Sequence, residues 1–229
     1  MGEVATAVGH RARLSGGTSG AAIYAAVARE LAGRPPGGVL VDVGCGAGNL
    51  WAVVAAGFDR YVGVDAVRYA GFPVAGEFLA LDLDLDAGRA PLPDGVGDVV
   101  TAVETIEHLE NPRAFLRELT RLCRPNGWVV VTTPNQLSLL STLTLVAFGE
   151  FNAFRAGSYP AHLTALLAVD LRRIAAECGL TGVRIAYTMS GRVPGTALRF
   201  PAALSRRLPR LLSDNVLLVG RKPLSGGAA

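Results

Sequence analysis

Short runs of apolar, β-branched residues alternate along this chain with stretches in which apolar positions recur at helical spacing. A first helix is expected from a cap at Thr18 or Ser19 through Leu31, stopped by Gly33 and the Pro35–Pro36 pair. Strands are expected over Val39 to Val43, Tyr61 to Val64, Phe78 to Leu83, Asp98 to Val103 and Trp128 to Asn135. Among them lie a short helix from Asn49 to Ala56 and a strongly amphipathic one starting at Asn111–Pro112. Phe115, Leu116, Leu119 and Leu122 form the apolar stripe of the second. A further helix is placed over Val169 to Cys178, and the runs VRIAYTM and NVLLVGRKP supply the last strands, the final one antiparallel. The alternation predicts an α/β fold built on a doubly wound, mostly parallel, seven-stranded sheet with an antiparallel C-terminal strand.

After Asn135 the pattern changes. Residues 136 to 160 are rich in Leu, Thr and Phe and fall where an open α/β sheet places its substrate crevice. They are read as a lid insertion over 136–162 whose Leu, Val and Phe side chains face a substrate, with an ordinary core helix as the alternative. The organisation expected is a leader and helix over 1–35, the first 17 residues loose and polar, and one domain over 36–229. Half of the 229 residues are hydrophobic and 18% are charged, which excludes a disordered chain. A net charge of +3 is too small to argue for nucleic acid. Three cysteines, an odd number set in apolar segments, read as reduced thiols of a cytoplasmic protein. Neither a signal-peptide core nor an apolar run approaching the ~20 residues of a membrane span is found.

The stretch VLVDVGCGAG, Val39 to Gly48, carries the most chemistry. An apolar strand ends in glycines at 44, 46 and 48, with Asp42 just before them and Asp65 closing the next apolar run, YVGVD. Glycine lets the backbone pass close to a bound nucleoside, and a carboxylate ending the second strand can accept ribose hydroxyls. The G-x-G-x-G spacing differs from the G-x-G-x-x-G of dinucleotide-binding proteins. VDVGCGAG resembles the first motif of class I S-adenosylmethionine-dependent methyltransferases. The resemblance extends through DLDAGRAPLPDGVGDVV, ETIEHLENP, RAFLRELTRLCRPNG and VVVTTPN. It implies a Rossmann-like sheet and S-adenosylmethionine as cofactor. It places Asp42 near the methionine amino group, Gly44, Cys45 and Gly46 along methionine and ribose, and Asp65, followed by Ala66, at the ribose hydroxyls. It further sets Asp84 at the adenine amino group, Leu85 against the ring and Val103 beside the methionine moiety. Asp82 and Asp86, which compete with Asp84, read as solvated turn residues.

Methyl transfer from a sulfonium is an in-line displacement in which the protein aligns the acceptor and handles its proton. Glu104, Glu107 and His108, in V-E-T-I-E-H-L, would share one face if they form a helical turn. The spacing E-x-x-E-H is similar to that of two metal-dependent branches of the superfamily: ubiquinone-pathway O-methyltransferases and small-RNA 3′-terminal 2′-O-methyltransferases. The second branch adds a His from beyond strand five, and His162 in SYPAHLT is this chain's counterpart. The resemblance thus implies a Mg²⁺ or Mn²⁺ site of Glu104, Glu107, His108 and His162. Two other readings stand beside it, His108 as a metal-free general base with Glu104 in support, and a structural His108. His10, in the leader, plays no part.

The acceptor expected is a small molecule bearing a hydroxyl, such as a secondary metabolite, phenol or sugar. The alternatives are a lipidic quinone or isoprenoid methylated at a membrane surface, and a cofactor-binding protein without turnover. Arg199, Arg206, Arg207 and Arg210, set among Leu, Phe and Ala in RFPAALSRRLPRLLS, suit either an anionic membrane surface or a solvated helix. Nucleic acid is not expected as a partner; peripheral membrane contact and a homodimer stay open.

Overall fold

The computed structural model describes residues 16–84 and 89–224. Its seven strands are β1 (Val39–Val43), β2 (Arg60–Asp65), β3 (Glu77–Ala80), β4 (Gly97–Val103), β5 (Cys123–Pro134), β6 (Thr181–Tyr187) and β7 (Asn215–Arg221). They form one sheet in the order β3-β2-β1-β4-β5-β7-β6. The first five are mutually parallel, and β7 runs antiparallel to both β5 and β6. The Rossmann-like fold read from the pattern is therefore the fold observed.

Among the described residues six α-helices accompany the sheet: α1 (Ala21–Leu31), α2 (Asn49–Val54), α3 (Pro112–Leu122), α4 (Leu139–Phe148), α5 (Ala168–Glu177) and α6 (Ala202–Arg207). Both faces of the sheet are covered, which is why its central strands are apolar throughout rather than alternating with polar residues. On one face Val41 and Val43 pack in the same cluster as Leu116 and Leu119 of α3 and Leu171 and Ile174 of α5. On the other, Leu40 joins Val27 of α1 and Leu50 of α2. The strand order turns at β1 and β4, the switch point at which such sheets open a crevice at their carboxyl ends.

Several boundaries differ from the sequence expectation, each for a local reason. The cap of α1 is Gly20, and neither Thr18 nor Ser19 supplies a side-chain bond to it. β3 stops at Ala80 rather than Leu83 because the Asp82 carboxylate accepts the Asp84 N–H and turns the chain. The turn expected at Pro125–Gly127 is absorbed into β5 as an irregularity, with Asn126 at φ 61° and a register shift opposite Gly97 to Val99. The final strands begin and end within two residues of the positions expected.

The segment 136–162 departs most. Within it α4 directs Ser141 and Thr144 inward, 3% and 8% exposed, while Leu143, Val146 and Phe148 stand 47%, 82% and 62% exposed. Leu139 and Leu140 at its start are half-buried, so the exposed apolar side chains are those of its middle and end. The part of the segment that approaches the crevice is the stretch 157–162.

Helix α3 is fixed at its start by Asn111, whose Oδ1 accepts the Ala114 N–H at 3.0 Å, with Pro112 in the first turn. Losing that acceptor leaves a backbone donor without its cap. Asn111→Ala should lower unfolding free energy by about 1 kcal/mol, read as a shifted urea midpoint at unchanged slope.

Candidate active site

A cleft of about 490 Å³ opens at the carboxyl ends of β1, β2 and β4. Its floor is the loop after β1. Gly44 has φ 76°, and a Cβ there would run into Thr105; Gly46 has φ 51°, and a Cβ there would meet the Gly17 carbonyl. Only glycine fits both the left-handed backbone and the space. The Ala47 N–H donates to the Gly17 carbonyl at 2.9 Å, so the segment before α1 folds across the glycine loop. Gly17 to Gly20, Ile23 and Tyr24 line the cleft as a result. Sequence reasoning missed this wall. Its signal was the glycine-rich GGTSG ahead of the helix, read there as leader and cap.

Asp42, Gly44, Cys45, Gly46, Asp65, Ala66 and Val103 all line the cleft. Asp42 is buried and accepts from Thr101 Oγ1 at 2.6 Å and from the Tyr61 hydroxyl at 3.1 Å. Burial nevertheless pushes its carboxyl up to about 6, against the pull of those two donors. Asp65 accepts the Gly46 N–H at 2.8 Å and the Val67 N–H at 3.2 Å, and burial raises its pKa too. Burial likewise pushes the Cys45 thiol up, so it is no thiolate nucleophile. Asp84 does not line the cleft. Its Oδ1 accepts the Glu110 N–H at 3.0 Å, and Leu83 takes the place at the wall. Leu85 and Asp86, with the first fifteen residues and His10, lie outside the described residues.

The E-x-x-E-H segment does not form one helical face. Glu104 sits at φ 52°, and the single 3₁₀ turn that follows covers only Ile106–His108. Glu104 still lines the cleft, but it lies outside the group whose ligand atoms come together. Its Oε1 accepts from Thr132 Oγ1 of β5 and its Oε2 from Asn215 Nδ2 of β7, both at 2.7 Å. Desolvation raises this carboxyl to about 7. Thr132 and Asn215 were not singled out in the sequence, because their partner lies far away along the chain.

Glu107, His108 and His162 do converge, each offering one ligand atom within 4.8 Å of the others. The histidine rings meet edge to face, 4.8 Å between centroids. His108 Nδ1 donates to the Ala161 carbonyl at 2.7 Å and His162 Nδ1 to the Ala153 carbonyl at 2.6 Å. Those acceptors put the lone pair of each neutral ring on Nε2. Burial holds His162 below its ordinary pKa, which favours the neutral form. Glu107 is fully buried. Its Oε2 accepts from Thr133 Oγ1 at 3.1 Å, while its Oε1 has no hydrogen-bond partner. Burial first, and the Glu104 charge second, drive its pKa well above that of an ordinary carboxylate. The Glu107 carbonyl accepts the N–H groups of Leu163 and Thr164, which seats the loop carrying His162.

Comparison with known proteins agrees with this architecture. A family model described as a methyltransferase domain matches residues 18–185. A ubiquinone biosynthesis O-methyltransferase of Burkholderia pseudomallei is 30% identical over 161 residues, covering 66% of this chain and 67% of that protein. The ajmaline N-methyltransferase of Rauvolfia serpentina is 30% identical over 138 residues, covering 57% and 47% respectively. This chain thus spans about half the length of several curated relatives. Among solved structures, an S-adenosylmethionine-dependent methyltransferase from Archaeoglobus fulgidus superposes with a TM-score of 0.63 at 18% identity, covering 87% of this chain and 93% of that one.

The raised pKa of Asp42 makes a stability prediction. Below about pH 4 the group is protonated folded and unfolded alike; as pH rises through about 6 the folded state must surrender a proton that the unfolded chain has already lost. The charge then opposes folding by about 3 kcal/mol at most. Asp42→Asn keeps the Thr101 bond and lets the Tyr61 hydroxyl rotate to accept. It should therefore gain stability over the parent at about pH 8 relative to about pH 4, and an equal difference at both in urea titrations contradicts the assignment.

Proposed function

This chain belongs to the S-adenosylmethionine-dependent methyltransferases, and we propose that it methylates a hydroxyl of a small-molecule acceptor held over Glu107, His108 and His162. The single observation behind this reading is the meeting of two imidazoles and a buried carboxyl group in the cleft that the glycine loop and Asp65 also line. In it, Asp65 accepts the ribose hydroxyls, Asp42 lies beneath the methionine amino group and Leu83 packs beside the adenine. The acceptor oxygen attacks the methyl carbon in line with the carbon–sulfur bond. An O–CH₃ bond forms as the S–CH₃ bond breaks, its electron pair cancels the sulfonium charge, and the hydroxyl proton leaves to a base.

The donor set fits a divalent ion. The partnerless Glu107 Oε1 calls for a proton or a cation, and both imidazoles are oriented through Nδ1 by backbone carbonyls in the way metal-bound histidines are. With Glu104 engaged elsewhere the set is two nitrogens and one oxygen, which suits Mn²⁺ better than Mg²⁺. Such an ion, when bound, supplies a lowered pKa for the acceptor hydroxyl. The competing reading, favoured by the His108–Ala161 hydrogen bond that sets the imidazole tautomer, makes His108 Nε2 the metal-free base.

Two measurements test this. Asp65→Ala should weaken S-adenosylmethionine binding by about 1–3 kcal/mol in calorimetry while the protein stays folded, and unchanged affinity removes the ribose assignment. Mn²⁺ titrated into chelator-treated protein should give one bound-ion signal by electron paramagnetic resonance. That signal should vanish in His162→Ala and survive in Glu104→Gln. Absence of a bound ion, with a loss on the order of 10²–10⁴ in rate for His108→Ala alone, selects the metal-free base.

A further inference from the structure

We propose that the outer surface formed by α4 and the segment 198–211 is a docking surface for an anionic lipid bilayer. The observation is an inverted helix. On a water-facing surface a helix turns its apolar stripe to the core, yet α4 buries Ser141 and Thr144 and exposes Leu143, Leu145, Val146 and Phe148. Its inward face is polar because its surroundings are. Ser138 Oγ accepts the Ser141 N–H, Ser141 Oγ accepts the Asn152 N–H, and Asn135, Gln136 and Asn152 line a 290 Å³ cavity beneath.

A second exposed apolar strip adjoins it. Leu204, Leu208 and Leu211 are exposed along and after α6. The Leu139 N–H donates to the Leu211 carbonyl at 2.7 Å, and Asn135 Nδ2 to the Arg210 carbonyl at 2.7 Å, so the start of α4 is fastened to this strip. Charge identifies the occupant. Arg199, Arg206, Arg207 and Arg210 are exposed there, and residues 198–211 contain no acidic residue. Beyond the end of α4, Arg155 lies over the Phe148 ring at 4.5 Å, with Glu150 the one carboxylate of 136–162. Aliphatic and aromatic tips among guanidinium groups match acyl chains beneath phosphate headgroups. No helix among the described residues is long and apolar enough to cross a membrane, so the contact is peripheral. α4 leads into the loop that carries Tyr159 and His162 at the cleft, which puts the lipid contact beside the cleft mouth.

The test is flotation of the whole chain with phosphatidylcholine vesicles and with mixed phosphatidylcholine–phosphatidylglycerol vesicles, alongside its mass in solution by light scattering. The expected result is partition to the anionic vesicles, weakened by raised salt as surface charge is screened. Arg206→Gln with Arg207→Gln should weaken it about 20–30-fold, at roughly fivefold per arginine. Val146→Ser with Phe148→Ser should abolish it while circular dichroism shows an intact fold. Failure to partition, equal partition to neutral vesicles, or a dimer that the serine pair dissociates in place of vesicle binding each overturns the proposal. The last result would mean that a second copy of the chain covers the face. None of these variants touches the cleft.

Discussion

Four carboxylates, Asp42, Asp65, Glu104 and Glu107, are gathered at the carboxyl ends of three neighbouring strands, and the cleft depends on how their burial is compensated. Stripping water from a carboxylate costs several kcal/mol unless donors replace it. Asp42 is met by two hydroxyls, Asp65 by two backbone N–H groups, and Glu104 by a hydroxyl and an amide. Glu107 is met only in part. Three of the four therefore tie the frame together, β1 to β4, β2 to the glycine loop and β4 to β5 and β7, although burial outweighs the donors and raises the pKa of each. The fourth retains unsatisfied hydrogen-bonding capacity inside the cavity. An incompletely satisfied buried acid beside two imidazoles is poor packing and useful chemistry.

What could be read in the sequence is what is local. The glycine loop, Asp42 and Asp65 announced themselves because strand, turn and acid follow one another, and the structure puts all of them along one cleft. α3 was legible for the same reason: cap, proline and apolar stripe lie within a few turns. Glu104 was misassigned because helical spacing presumes a helix. The chain there takes a left-handed residue and then a 3₁₀ turn, and the side chain answers to Asn215, 111 residues on. Asp84 likewise has a partner that spacing did not announce, the Glu110 N–H.

α4 shows a different limit. Its composition is that of a core helix, and hydrophobicity alone assigns its Leu, Val and Phe to an interior or a substrate. Which face a helix buries is decided by what it packs on, and here the cavity beneath is lined mostly by polar residues such as Asn135, Gln136 and Asn152, with Ile23 and Pro134 among them. An apolar residue count cannot carry that information, and neither can the three polar residues of the run, since Ser141 and Thr144 turn inward while Thr142 is exposed.

Glu107 links the site's chemistry to its architecture through two separate groups. Its side chain faces His108 and His162 in the cleft, and its backbone carbonyl holds the Leu163 and Thr164 N–H groups that seat the His162 loop. Because the loop is held by main chain, the position of His162 does not depend on the charge at 107. The two functions can therefore be separated physically: removing the carboxylate alters what the cluster binds without releasing the loop. His108 is held in the same manner, its Nδ1 donating to the Ala161 carbonyl of that loop. Both imidazoles thus donate through Nδ1 to backbone carbonyls, while the Glu107 carboxyl keeps one oxygen without a hydrogen-bond partner in the cleft.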